Sequence, residues 1–297
     1  MMKKSMQFCV LVCIVGWSLQ IFGIYIGPQK FQRFFKIDLG WALMLIPALC
    51  VIILQLLNRE KLLRDLNISF RLNWWFLIAF IVPFVYSFLT LAVSILLPNI
   101  SFSSNHEAYL SRLSSDARET VSQQLLQYTP LSYLGYRLYR AIIVGIISIP
   151  VAFGEELGWR AYLVKNLKNK KLFQASLFIG IVWGIWHFPL ILMLGINYPQ
   201  HPVAGVGMMI IWCVLLTPIM IYFTIKSKSV IPSAIFHAFV NSSGFITIMF
   251  IKGGSDLMYG NTGLAGFISL IIVNVTLYLY DKLVTKEHIF TKEIEDY

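Results

Sequence analysis

The sequence predicts an all-α fold: a polytopic transmembrane bundle of about eight spans with one amphipathic helix at the membrane interface. Three observations carry that prediction. Of the 297 residues, 58% are hydrophobic and 13% charged, whereas a soluble domain is about a quarter charged; the mean hydropathy is +0.72. Apolar stretches of about 20 residues, the length that crosses a hydrocarbon core, recur along the whole chain. Lysine and arginine sort into alternate loops, as the positive-inside rule expects.

The elements follow in order. MMKKSMQFCVLVCIVGW has the basic start and apolar run of a signal peptide. It lacks a small-residue cleavage site, and Val12 before Cys13 does not fit a lipoprotein signal, so 6–27 is expected as an uncleaved first span. Spans two and three are expected at 38–57 and 74–98. The long polar stretch 101–128 repeats Leu110, Leu113, Ala117, Val121 and Leu125 at helical spacing, with Ser103, Ser104 or Asn105 able to cap it. That predicts the interfacial helix; a plain connector is the equal alternative. Span four, 131–163, carries Arg137 and Arg140 at its start, so its embedded part is expected to begin near Arg140. Spans five to eight are expected at 172–195, 203–225, 229–251 and 262–281. Pro83, Pro150, Pro189 and Pro218 fall inside spans, where kinks are tolerated if the freed carbonyls find partners. The organisation expected is an N-terminal part at 1–130, a core at 131–251 and a last span with its tail at 252–297.

Charge narrows the function classes. The net charge of +10 reads as topology rather than as a nucleic-acid footprint. Lys3, Lys4, Arg59, Lys61, Arg64, Arg71, Lys165, Lys168, Lys170, Lys171, Lys226, Lys228 and the C-terminal lysines fall on one side if the spans alternate. This predicts a multi-pass cell-membrane protein with both termini cytoplasmic; the loop KFQRFFK dissents mildly. Cys9, Cys13, Cys50 and Cys213 all lie in apolar segments without a CxxC, so they are expected as buried hydrophobes, not disulfides. Trp41, Trp74, Trp75, Tyr133, Tyr136 and Tyr198 near span ends are expected as interfacial anchors. His106, His201 and His288 have no acidic or histidine partner nearby in sequence and are assigned no site.

Ionisable groups inside a span cost about 2.5–3.5 kcal/mol on insertion scales, so they should face the bundle interior. Here they cluster: Glu155, Glu156 and Arg160 in FGEELGWRAYL, His187 in VWGIWHFPL, and His237 and Asn241 in IPSAIFHAFVNSSG. Glu156 and Arg160 are i, i+4 and can pair on one helix face, while Glu155 is rotated by about 100°. One carboxylate is then tied and one left free. His237 and Asn241 share a face, as do Trp183 and His187, so Trp183 is a candidate wall of a substrate pocket. Counted from the nearest lysines at about 1.5 Å per residue, Glu155 and His237 come out at similar depth and His187 deeper. Taken singly, each histidine reads as a helix–helix hydrogen-bond donor, and the Glu–Arg pair as an interfacial salt bridge. Taken together, the set points to a site. Glu155, His187 and His237 are also a candidate zinc set with an open fourth position, although no HExxH is present.

Glu-Glu-x-x-x-Arg, aromatic-x-x-x-His and His-x-x-x-Asn, in that order on separate spans, resemble the CAAX protease and bacteriocin-processing (CPBP, or Abi) family of type II CAAX prenyl endopeptidase-like intramembrane proteases. The resemblance covers roughly 131–251. It departs at Trp183, where the family commonly has Phe. It implies a hydrolase that cleaves a peptide bond in a peptide or lipidated protein held in the membrane. Glu155 would be the base that activates water, and His187 would position that water. His237 and Asn241 would stabilise the oxyanion, and Glu156 and Arg160 would order the site. It leaves a metal-free glutamate mechanism and a zinc metalloprotease both open, and the first is preferred here. The substrates it implies are CAAX proteins or, for bacterial relatives, peptides linked to bacteriocin immunity and processing.

Two other classes compete. A non-catalytic membrane protein that binds a peptide or partner, for immunity or as a scaffold, would keep the motifs as polar glue; Glu155→Ala would leave it intact. An ion- or proton-coupled transporter ranks last, because no internal repeat is seen and the polar groups lie only in the second half. Nothing in the sequence fixes the oligomeric state.

Overall fold

The computed structural model describes residues 2–103, 110, 115–125 and 127–294. Eight helices long and apolar enough to cross a membrane run through it: Lys3–Ile26, Leu39–Leu57, Trp74–Ser94, Pro130–Asn166, Leu172–Leu194, Pro202–Ser227, Ile231–Met249 and Leu264–Thr285. They are spans one to eight. The chain is an integral membrane protein with an all-α polytopic fold, and each span lies within a few residues of its expected bounds.

The ends of the helices follow from local chemistry. Asp38 accepts from Gly40 N at 2.8 Å to start span two, and Asn73 accepts from Trp75 N at 3.0 Å to start span three. Thr129 accepts from Ser132 N at 3.2 Å, one residue before Pro130 opens span four. Such caps satisfy N–H groups that a first helical turn leaves unpaired.

Alternating spans place one set of loops at each end of the bundle. At the end that holds both termini, Lys4 pairs with Glu60 and Lys226 with Glu287 at 2.6 Å. Val230 N donates to Asn67 O at 2.8 Å there, and the tail returns so that Lys171 bridges Glu293. At the opposite end, strand β1 (Ile100–Phe102) pairs antiparallel with strand β2 (Ile251–Gly253). The sequence reading missed that pairing because its two halves lie far apart in the chain.

His201 finds an acidic partner far along the chain: its Nδ1 lies 2.6 Å from Asp256 Oδ1, whose other oxygen accepts from Gln200 N at 2.7 Å. One expectation, for Tyr133 and Tyr198, is corrected at this opposite end. Tyr133 and Tyr198 are not lipid-facing anchors; both are buried, and Tyr198 donates to Thr262 O at 2.8 Å. The interfacial helix is described over Ser115–Leu125. There Leu125 belongs to a buried cluster with Tyr133 and Met249, and Val121 packs against it, so its apolar side rests on protein. His106, Ser104, Asn105 and Leu113 lie outside the described residues, as does the side chain of Ala117. Ser103 N donates to Phe250 O, extending the strand pair. All four cysteines are free.

Helix contacts set the core. Spans five and six meet along Gly180 and Gly184: a Cβ at either would come within 2.5 Å of Val214 Cα or Ile210 Cα. Small residues at such spacing let two backbones approach closely in a bilayer. Span seven lies along span four through a cluster of Ala152, Ala234 and Ala238. Span one closes on span five at Trp186, whose Nε1 donates to Val12 O at 3.2 Å and whose carbonyl accepts from Gln20 Nε2 at 2.9 Å.

Candidate active site

The α-helix of span four ends at Glu156 and continues as a π-helical turn, Leu157–Leu163. π-turns inside α-helices are rare and concentrate at functional sites. Gly158 sits where this turn meets spans one and two; a Cβ there would lie 2.6 Å from both Phe8 and Pro47. The turn presents Trp159 and Arg160 back toward the two glutamates. Trp159 Nε1 donates to Glu155 Oε1 at 3.2 Å, and Arg160 Nη1 donates to Glu156 Oε1 at 3.2 Å. Glu155, Glu156 and Arg160 are each no more than 1% exposed, so partners are obligatory.

Span five supplies the centre. Trp183 Nε1 donates to Glu155 Oε1 at 2.5 Å, so that oxygen receives two indole N–H groups. Oε2 of Glu155 accepts no hydrogen bond among the described residues. The Trp183 ring lies under the Arg160 guanidinium, 4.0 Å from its Cζ. Such a cation–π contact is strongest where water is excluded. Trp183 is therefore a tether for Glu155 and a floor for Arg160 as well as an aromatic wall.

Span five breaks at His187, because Pro189 has no N–H to continue the first helix. The His187 N–H turns to Gly184 O at 3.2 Å, and the ring takes over the carbonyl one residue earlier: Nδ1 donates to Trp183 O at 2.8 Å. A carbonyl only accepts, so Nδ1 carries the proton and Nε2 is the nitrogen left to act. His237 is anchored in the same way from span seven, with Nδ1 donating to Glu156 Oε1 at 2.8 Å. Both imidazoles lie against Trp183, with ring centroids 5.8 Å and 5.5 Å away. The helix-rise count had set His187 deeper than His237; the structure brings them to one ring.

Glu155, Glu156, Arg160, Trp183, His187 and His237 thus form one connected cluster. Asn241 does not join it. It is exposed, one turn beyond His237, and lines a separate cavity with Arg137 and Arg140. Two members were not foreseen, and both come from span six. Thr217 Oγ1 accepts from Arg160 Nη2 at 3.3 Å, and the Trp212 ring stacks on Trp183 at 6.2 Å. No i, i+4 partner marked them in the sequence. Trp159 was quoted within its motif, but nothing in the spacing alone assigned its N–H to Glu155. As for zinc, no three His, Cys, Asp or Glu side chains among the described residues converge to hold a metal ion, and Glu155 Oε1 is already committed to two indoles.

Comparison with known families falls on this same segment. Residues 137–243 match a family described as Rce1-like, type II CAAX prenyl endopeptidase Rce1-like. The chain is also 33% identical over 143 residues to a CAAX prenyl protease 2 of Methanococcus maripaludis. That match covers 43% of this chain and 46% of the relative, so the chain spans about half the length of the curated relative it matches. The resemblance read from the three motifs is borne out over spans four to seven.

Proposed function

We propose that, as its likeness to the type II CAAX prenyl endopeptidases suggests, this protein is an intramembrane endopeptidase that uses Glu155 to activate water. The observation that carries the reading is the asymmetry of the two adjacent glutamates. Glu156 is shared by Arg160 and His237. Glu155 is held on one oxygen only, leaving Oε2 as a base with a fixed direction. His187 Nε2 faces the reaction as the second group that orients the water. Oε2 takes the water's proton as its oxygen attacks the scissile carbonyl carbon. His237, balanced by the Glu156 carboxylate, donates from Nε2 to the developing oxyanion. The proton on Glu155 then passes to the amine as the C–N bond breaks. A preorganised donor at an oxyanion is worth about 3–4 kcal/mol in a water-excluded site.

The substrate is a peptide or lipidated protein presented within the membrane, and both termini face the cytoplasm, where the lysine-rich loops gather. The test compares membrane and secreted peptides from cells carrying the wild type with those carrying Glu155→Gln at matched expression. Specific peptides or new C-termini present only with the wild type are the expected result. Matching peptidomes, with the wild-type phenotype retained in the mutant, would sink the protease and leave the non-catalytic binding protein.

A further inference from the structure

A polar cavity of about 350 Å³ lies between the outer halves of spans four and seven. Tyr136, Arg137 and Arg140 line one side, and Asn241, Ser242 and Phe245 the other. These side chains bring hydrogen-bond donors and two positive charges, and no carboxylate is among the described residues that line the cavity. Arg137 is held in place: its Nη1 donates to Tyr133 Oη at 3.0 Å, and its Cζ lies 4.6 Å from the Phe245 ring centre. Arg140 is exposed, and its one hydrogen bond among the described residues is to Tyr136 Oη at 3.5 Å, beyond ordinary hydrogen-bond length. A planar guanidinium with donors unspent, as on Arg140, is what a carboxylate or phosphate binds.

We infer that this cavity is the entry vestibule for the substrate peptide and that Arg140 receives a carboxylate of that peptide. The inference rests on the endopeptidase reading above and adds a substrate class to it: peptides with an acidic group at a set distance from the cleaved bond. Asn241 connects the two places. It lines the cavity and stands one helical turn from His237, so a chain lying along span seven passes from Arg140 to the catalytic cluster. Val121 of the helix Ser115–Leu125 also lines the cavity, so protein as well as bilayer encloses it, which favours a peptide over a lipid headgroup. Span four sets the distance. Arg140 and Glu155 lie in one helix, Pro130–Glu156. They are 155 − 140 = 15 residues apart, about 22 Å at 1.5 Å per residue. An extended peptide advances about 3.3 Å per residue, which puts the carboxylate roughly six or seven residues from the scissile bond.

The experiment uses the full-length protein carrying Glu155→Gln, in nanodiscs of phosphatidylcholine, so that peptides bind without being cut. Fluorescent apolar peptides are compared in pairs that differ only by Glu against Gln, or by a free against an amidated C-terminus. The acidic member is expected to bind about tenfold tighter, the scale of one charge-assisted contact. Adding Arg140→Gln should erase the difference, and Arg140→Lys should keep part of it and shows that the fold tolerates change there. Equal binding of the pairs, or a preference that survives Arg140→Gln, overturns the inference. So does a preference seen only when phosphatidylglycerol is present and independent of the peptide's charge; Arg140 would then hold a lipid headgroup. With Glu155 restored, moving the Glu along a cleaved peptide should give a maximum in kcat/KM six or seven residues from the cut. If acidic peptides bind preferentially but none is cut, the protease reading fails and the anion site stands.

Discussion

Around Trp183 every charged group has a partner in the protein: Glu155 has two indoles, Glu156 has Arg160 and His237, and Arg160 has Thr217 and an aromatic face. In the cavity at Arg140 the balance is reversed, with donors and positive charge facing no carboxylate among the described lining residues. Both regions draw on spans four and seven, a few helical turns apart. The difference teaches how the work is divided. Groups that must hold one geometry are ordered by folding itself, at the cost of burying charge. Groups that recognise a ligand are left with capacity unspent.

The sharpest way to break this contrast is to remove Glu156. Glu156→Ala leaves Arg160 buried without its counter-ion, which typically costs about 3–5 kcal/mol. Unfolding in detergent should show that loss, and Glu156→Gln a smaller one. If Glu156→Ala unfolds like the wild type, the pair does not hold the site. A subtler change tests the tether on Glu155. Trp183→Phe keeps an aromatic ring under Arg160 but removes the N–H. A hydrogen bond to a charged group is worth about 1.5–3 kcal/mol, so kcat for a cleaved peptide should fall by roughly ten- to a hundredfold with KM little changed. An unaltered kcat would mean that the bond at 2.5 Å does not position the base. The smallest effect is expected outside the site. His201→Asn, at a half-exposed ion pair, should lower stability by no more than about 1 kcal/mol and leave peptide binding unchanged. A large loss of binding would show that the loops at this end of the bundle are coupled to the cavity.

Much of this was legible in the sequence because the solvent is oil. A run of about 20 apolar residues has few fates, so the span bounds came close. A carboxylate inside such a run has to have a reason, so FGEELGWRAYL, VWGIWHFPL and the His237 segment stood out. What stayed hidden is what spacing along one helix does not encode. Thr217 and Trp212 reach the cluster from span six, β1 finds β2, and His201 finds Asp256, all across long stretches of chain. Tyr133 and Tyr198 near span ends look alike in sequence whether they face headgroups or, as here, neighbouring protein. Asn241 shares its helix face with His237, yet whether that face is covered at each turn depends on Arg140 and the partner helix, not on the four-residue interval.

The π-helical turn at Leu157–Leu163 also bears on how this gene can change. Removing one codon there would restore a regular α-helix, and each residue in an α-helix turns the chain by about 100°. A π-turn takes up an extra residue locally, so the helix beyond it would keep nearly its present direction, and the change would fall on the turn itself, where Trp159 and Arg160 reach back to the two glutamates. An insertion or deletion in these seven positions would be felt at Glu155 and Glu156, whereas a change on a lipid-facing side of span four touches neither. The length of the segment therefore shapes the site along with its composition.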